Sequence, residues 1–286
     1  VNAAREVAPY AGPDGRTAEE LHELADGLGI AVWTPEPGPP AGRWKRIVRA
    51  ARESPRGKLP PRYATDTWHV PFQPRLEAAL RPGMRILDVG AGARPMVAPA
   101  DRPAGVTYVG FDVDGEELRK APPGSYDEMV VGDLTIREPA LVGRFDLVLS
   151  WLTMEHVKPV PDALRNLRSY LAEDGRFLGY LAGGRSMHAV LNRIVPHRLA
   201  KPIMQRLWGR VPDTVFRAHY DHCWYDALRE VTDDAWSTAE VIPLFTGGWY
   251  LQWSPLLRAP YLAYEEWAVT GDRRNLAPYY LIDAVT

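Results

Sequence analysis

The stretch R-I-L-D-V-G-A-G-A-R-P, residues 85 to 95, is an apolar run that takes on an acid at Asp88 and then passes into glycine. An apolar run of this length bounded by glycine reads as a buried strand. Gly90 and Gly92 would let backbone amides approach a ligand closely and begin a helix, the arrangement that receives anionic groups. Several cofactors are served by such a loop, so the stretch alone leaves the ligand open. A dinucleotide fingerprint G-x-G-x-x-G would place glycine or alanine where Pro95 stands. Asp88, one residue ahead of Val89 and Gly90, instead suits a ligand carrying an ammonium group, held by a charge-assisted bond.

Outward from this stretch the same pattern repeats. M-R-I-L-D-V, V-T-Y-V-G-F-D, D-E-M-V-V-G-D, F-D-L-V-L-S-W and G-R-F-L-G-Y-L are near-continuous apolar runs, as expected of parallel strands buried on both faces. Helical segments such as V-P-D-A-L-R-N-L-R-S-Y-L alternate with them, which predicts βαβ units and an open, doubly wound α/β sheet. Ligands of such sheets sit outside the carboxyl ends of the strands. Asp88, Asp112, Asp133 and Ser150–Trp151 all fall there. Asp112 follows Gly92 by 20 residues, the place for a carboxylate that accepts both hydroxyls of a ribose. Asp133, in V-V-G-D-L, can take a proton from an exocyclic adenine amine. Each acid alone could be a helix cap or turn residue; three at successive strand ends favour one shared ligand.

The first 60 residues read as a helical N-terminal extension, with a helix capped by Thr17, a linker at Pro35 to Gly42 and a basic helix after it. The main domain is expected over 61–286. Two aromatic inserts, at about 185–225 and 247–275, are too long for simple connections and would cover one end of the sheet. The final segment A-P-Y-Y-L-I-D-A-V reads as a strand. Net charge is −2 without a dense basic run, which argues against nucleic acid and anionic membrane surfaces as partners. Cys223 is the single cysteine, which excludes an intrachain disulfide and a thiolate-rich zinc site. No apolar stretch approaches the roughly 20 residues of a membrane span and no signal-peptide core is evident, so a cytoplasmic location is expected. Arginine outnumbers lysine 29 to 5, a bias that suggests a GC-rich bacterial genome.

Taken in order, D-V-G-A-G-A-R, V-G-F-D-V-D, V-V-G-D-L, F-D-L-V-L-S-W-L-T-M-E-H-V and L-A-E-D-G-R-F resemble the class I S-adenosylmethionine-dependent methyltransferases, over roughly 81–181 and the terminal strands. The resemblance implies a mostly parallel seven-stranded sheet with a reversed final strand. It implies that Asp88, Gly90, Ala91 and Gly92 line the methionine end, and that Asp112 with Val113 holds the ribose side. Asp133 with Leu134 would then hold the adenine, and Ser150 and Trp151 would lie beside the sulfonium. The cofactor so implied is S-adenosylmethionine, leaving as S-adenosylhomocysteine. S-W-L-T after the fourth strand differs from the (N/D)-P-P-(Y/F) signature of nucleic-acid amino-methyltransferases, and Cys223 lacks the Pro-Cys setting of cytosine C5 enzymes. Leu152–Thr153 and Ala182–Gly183 stand where metal-dependent catechol-type enzymes carry carboxylates, so no metal is expected.

Methyl transfer is an in-line displacement at an activated carbon, so positioning supplies much of the rate and a base matters when the acceptor must lose a proton. His156 in M-E-H-V and His219 in H-Y-D-H are the candidate bases. His219 and His222, spaced i, i+3, are alternatively metal ligands, substrate contacts or packing for Trp224. Arg217, Tyr220, His222 and Trp249 are the candidate acceptor contacts, Arg217 for an anionic group. The expected reaction is methylation of a small molecule, most often at a hydroxyl, in specialised metabolism, by a monomer or homodimer. Two alternatives are a sugar or lipid-linked polysaccharide intermediate as acceptor, and a cofactor-binding protein without transfer activity.

Overall fold

A computed structural model describes residue 63 and residues 71–194, 218–251 and 255–286. The N-terminal extension, the linker and Arg217 lie outside the described residues. In chain order the principal elements are α1 (Gln73–Ala79), β1 (Arg85–Val89), β2 (Thr107–Asp112), α2 (Gly115–Arg119), β3 (Glu128–Val131), β4 (Phe145–Trp151), α3 (Val160–Tyr170), β5 (Leu171–Ala182), α4 (Met187–Ile194), α5 (Tyr225–Ala235), β6 (Thr238–Leu244), α6 (Pro255–Thr270) and β7 (Tyr279–Val285).

The seven strands form one sheet in the order β3-β2-β1-β4-β5-β7-β6. Pairings from β3 to β5 are parallel, while β7 lies antiparallel to both β5 and β6. This is the expected doubly wound sheet with its last strand reversed. The strand order turns at β1 and β4, whose register pairs Val89 with Ser150, so the crevice used by ligands opens at the ends of those two strands.

Alternating side chains of the central strands feed two cores. On one face Leu87, Val89 and Val148 pack with Leu164 and Leu167 of α3 and with Leu228 of α5. The spacing of Val160, Ala163, Leu164 and Leu167 puts all four on one side of α3, which is why that segment is a helix and buries that side. On the other face Ile86, Leu147, Leu149 and Leu178 pack with Phe72 and Leu76 of α1 and Leu118 of α2. Arg75 of α1 and Arg176 of β5 both reach Asp283 of β7, at 3.0 and 2.7 Å, which ties the reversed strand to its neighbours.

Three expectations need correction. β3 is an edge strand, and Met129 and Val131 are exposed rather than buried on both faces. The glycines after β1 open no helix: only a three-residue 3-10 turn, Pro99–Asp101, lies between β1 and β2. Pro95, Pro99 and Pro103 account for this, since proline removes an N–H and biases the residue before it away from helical geometry. The second insert is largely regular, with α6 running 16 residues through Pro260.

Candidate functional site

The loop after β1 is held by its own backbone. Gly90 N and Ala91 N donate to the Phe111 carbonyl (2.8 and 3.2 Å), and Arg94 N donates to the Ala91 carbonyl (3.2 Å). Gly92 N donates to Asp112 Oδ2 (3.0 Å), Met96 N to Asp88 Oδ2 (2.7 Å) and Val97 N to the Tyr108 hydroxyl (3.1 Å). Tyr108 passes its own proton to Asp88 Oδ2 (2.8 Å), and the Tyr126 hydroxyl donates to the carbonyls of Ala91 and Gly92. Asp88 is therefore the knot of the loop: it is 2% exposed, and one of its oxygens serves both Met96 and Tyr108. Burial pushes its carboxyl up to about 6, against the pull of the Met96 N–H, the Tyr108 hydroxyl and the Arg102 charge.

Gly90 and Gly92 have φ of +69° and +50°, a backbone that side chains rarely tolerate. At Gly90 there is a second reason for glycine. A Cβ there would lie 2.2 Å from Thr153 Oγ1, and that hydroxyl donates to the Val89 carbonyl (3.2 Å). The loops after β1 and β4 thus interlock through Gly90 and Thr153.

Asp112, at the end of β2, is half-buried and accepts from Gly92 N through Oδ2 and from Asp114 N through Oδ1 (2.9 Å). Burial raises its pKa, opposed by the N–H groups of Asp114 and Gly92. Next to it Val113 is 73% exposed, an apolar side chain presented at the rim of the crevice. Asp133 lies two residues beyond β3 and is exposed, its Oδ1 accepting from both the N–H and the hydroxyl of Thr135 (2.8 Å each), while Leu134 behind it is buried. Ser150 is fully buried, and its Oγ has no hydrogen-bond partner among the described residues. Trp151 stacks on Tyr180 at 4.3 Å and meets Phe72 edge-on at 5.0 Å.

Beyond Trp151 the chain is strained. Leu152 has φ +51°, and Tyr220 and His222 have +53° and +51°. These three sit at one junction. A short 3-10 turn, Met154–His156, follows β4, and the Glu155 carbonyl accepts from the N–H groups of His219 and Tyr220 (2.8 and 2.9 Å). Asp221 Oδ2 accepts from Val160 N at the start of α3 (3.1 Å) and lies 3.0 Å from His222 Nδ1, whose ring stacks on Trp224 at 5.3 Å. Gly184 N meets the Cys223 carbonyl at 2.5 Å, closing the two ends of the first insert on each other. His156 and the H-Y-D-H segment, distant in sequence, are thereby brought together. His219 is exposed, whereas Tyr220 is buried and packs beside Gly184. Trp249 falls in a 3-10 turn, Gly247–Leu251.

Two acids escaped the sequence reading. Glu155 is 5% exposed with Oε2 unpartnered, and burial pushes its carboxyl up to about 8, opposed by its own N–H and that of Ala182. Its place inside M-E-H-V was the available signal, although an acid in a turn ordinarily faces water. Glu265 of α6 is also buried; it accepts from Gly247 N (2.8 Å) and from the hydroxyls of Tyr63 and Tyr261, anchoring the second insert. Nothing local in the sequence marks that contact.

Residues 64–235 match the methyltransferase domain family. The chain belongs to that family. With this sheet order it is a class I S-adenosylmethionine-dependent methyltransferase. Similar solved structures include a possible exported protein from Bordetella parapertussis, at 18% identity over 92% of this chain and 78% of that one, TM-score 0.49. Others are an S-adenosylmethionine-dependent methyltransferase from Mesorhizobium loti (18%, 74% and 96%, 0.45) and phosphoethanolamine N-methyltransferase 2 from Haemonchus contortus (13%, 84% and 60%, 0.43). No curated protein matches the chain.

The residues of this methyltransferase fit the donor. The space that a Cβ on Gly92 would occupy is open, with only Asp112 Oδ2 at 3.9 Å. Ser150 offers a buried hydroxyl without a partner, and Val113 an uncovered apolar face. Among the described residues no three His, Cys, Asp or Glu side chains are grouped to hold a metal ion, and no helix is long and apolar enough to cross a membrane.

Proposed function

We propose that this methyltransferase transfers the methyl group of S-adenosylmethionine to a hydroxyl of a small molecule, in bacterial specialised metabolism and in the cytoplasm, as a monomer or homodimer and without a metal. The observation that carries the reading is the junction at the Glu155 carbonyl, where His156 and the His219–His222 segment meet directly beyond the β4 loop that interlocks with Gly90. A hydroxyl needs a base as its oxygen attacks, and histidine titrates in the range where that transfer is efficient. His156 and His219 supply the base. Arg217, Tyr220, His222 and Trp249 contact the acceptor, which lies between the β4 loop and the two inserts. Asp112 and Val113 hold the ribose side, and Asp133 with Leu134 the adenine. Gly90, Ala91, Gly92, Ser150 and Trp151 surround the methionine and sulfonium end, with Asp88 fixing the loop from beneath.

The test has two parts. Calorimetry should show S-adenosylhomocysteine binding, and tighter binding of NADH would overturn the donor assignment. Incubation of the protein with methyl-labelled donor and metabolite extracts should then give a labelled small molecule. Absence of label in every extract, with donor binding intact, would favour a binding protein without transfer. His156→Ala should keep donor affinity and slow turnover; normal turnover would remove His156 from the base role.

A further inference from the structure

The glycine loop raises a problem that its own hydrogen bonds define. A donor carrying an amino-acid end brings a carboxylate to this loop, and glycine loops ordinarily receive such groups with free backbone N–H groups at a helix N-terminus. Here no helix follows, and the N–H groups of residues 90, 91, 92, 94, 96 and 97 are all engaged within the chain. Pro95 has none. Of the loop's backbone donors, only that of Ala93 has no hydrogen bond among the described residues. The acids Asp88 and Asp112 flank the same loop and favour the ammonium of the tail over its carboxylate.

Beyond the Ala93 N–H the loop's backbone thus offers the carboxylate nothing, and residues 85–102 hold three arginines that could complement its charge. Arg85 begins β1, at the end of the sheet opposite the loop. Arg102 is committed inward: its guanidinium donates to the carbonyls of Val97 (2.9 Å) and Ser125 (2.6 Å) and lies 3.8 Å over the Tyr108 ring. Arg94 is exposed, at the last position of the turn closed by its own N–H to Ala91, and its guanidinium makes no hydrogen bond or ion pair among the described residues.

We propose that Arg94 is the cation that receives the α-carboxylate of the methyl donor, taking the place of the helix N-terminus that this loop lacks. The proposal rests on the reading of the loop as the methionine end of an S-adenosylmethionine site. It makes Arg94 a determinant of ligand choice: donor and product are held by the amino-acid tail, and analogues without a carboxylate lose that contact. Guanidinium is suited to the role because it presents parallel N–H groups to both carboxylate oxygens.

The experiment is calorimetry on the full chain with two ligands, S-adenosylhomocysteine and decarboxylated S-adenosylmethionine, for the wild type, Arg94→Ala and Arg94→Lys. Loss of a hydrogen bond to a charged group predicts that Arg94→Ala weakens S-adenosylhomocysteine binding roughly ten- to hundredfold. Its affinity for the decarboxylated ligand should be no weaker than that of the wild type, and Arg94→Lys should fall between the two proteins for S-adenosylhomocysteine. Equal affinity of wild type and Arg94→Ala for S-adenosylhomocysteine would overturn the assignment, and so would an equal loss for both ligands. Failure of the wild type to bind either ligand would instead overturn the donor reading beneath it. Arg94 is exposed and bonded only through its backbone, so thermal denaturation of the variants should match the wild type and separate binding from folding.

Discussion

Replacing Glu155 with Gln should flatten the pH dependence of stability between about pH 7 and 8. In the folded protein burial holds the carboxyl near 8, against 4.5 when the chain is unfolded. Between those values the native state keeps a proton that the unfolded state has released, so stability falls as pH rises. The slope approaches about 1.4 kcal/mol per pH unit, which accumulates to about 3 kcal/mol between pH 4.5 and 7 and levels off above pH 8. Two other displaced groups act elsewhere. Asp88, raised to about 6, contributes stability that is lost between pH 3.8 and 6 and is constant above. His188, lowered to about 4 by burial, contributes stability that is lost as pH falls below 6.5. From about pH 7 to 8 the Glu155 slope therefore outweighs both. The slope averages about 1 kcal/mol per pH unit there, so at roughly 2–4 °C per kcal/mol the wild-type melting temperature should drop by roughly 2–4 °C. Gln keeps the shape and cannot ionise, so its curve should be flat, while exposed Glu173→Gln should track the wild type. Thermal denaturation by circular dichroism at constant ionic strength reads both. Parallel slopes for wild type and Glu155→Gln would refute the claim that a buried neutral acid sits under the insert.

Gly90→Ala should destabilise the protein and weaken S-adenosylhomocysteine binding, because the new methyl group meets Thr153 at a φ of +69°; adding Thr153→Gly should recover part of the loss, measured as a double-mutant cycle. Asp112→Ala should weaken donor binding by calorimetry, since it removes the half-buried carboxylate and leaves Gly92 N without its acceptor. Tyr108→Phe should cost about 1–3 kcal/mol in denaturant unfolding, as Val97 N and Asp88 each lose a buried hydrogen bond.

The strands were legible because burial on both faces writes itself as continuous apolar runs, and the reversed last strand followed from the family resemblance. β3 misled because D-E-M-V-V-G-D has the same run as its neighbours, although Met129 and Val131 face solvent; edge position is a property of topology, which one strand cannot encode. Pro95 carries the signal against a helix after the glycines, since it has no N–H and biases Arg94 away from helical geometry. The knot at Asp88 was illegible for another reason. Tyr108 and Met96 converge on it from different segments, and no local pattern around Asp88 announces either contact. Likewise M-E-H-V drew attention to its histidine, whereas the acid beside it is the group that burial perturbs.

The bond between Gly184 N and the Cys223 carbonyl makes the stretch between them a loop that begins and ends at one point. The entropy of closing such a loop grows only with the logarithm of its length, so added length there costs little, whereas Ala189 and Tyr220 within it are core residues. Its anchor points, the Glu155 carbonyl and the N-terminus of α3, belong to the connection between β4 and α3 rather than to the loop. The two ends of the stretch are thus fixed to one another and to the turn after β4, whatever length of chain lies between them.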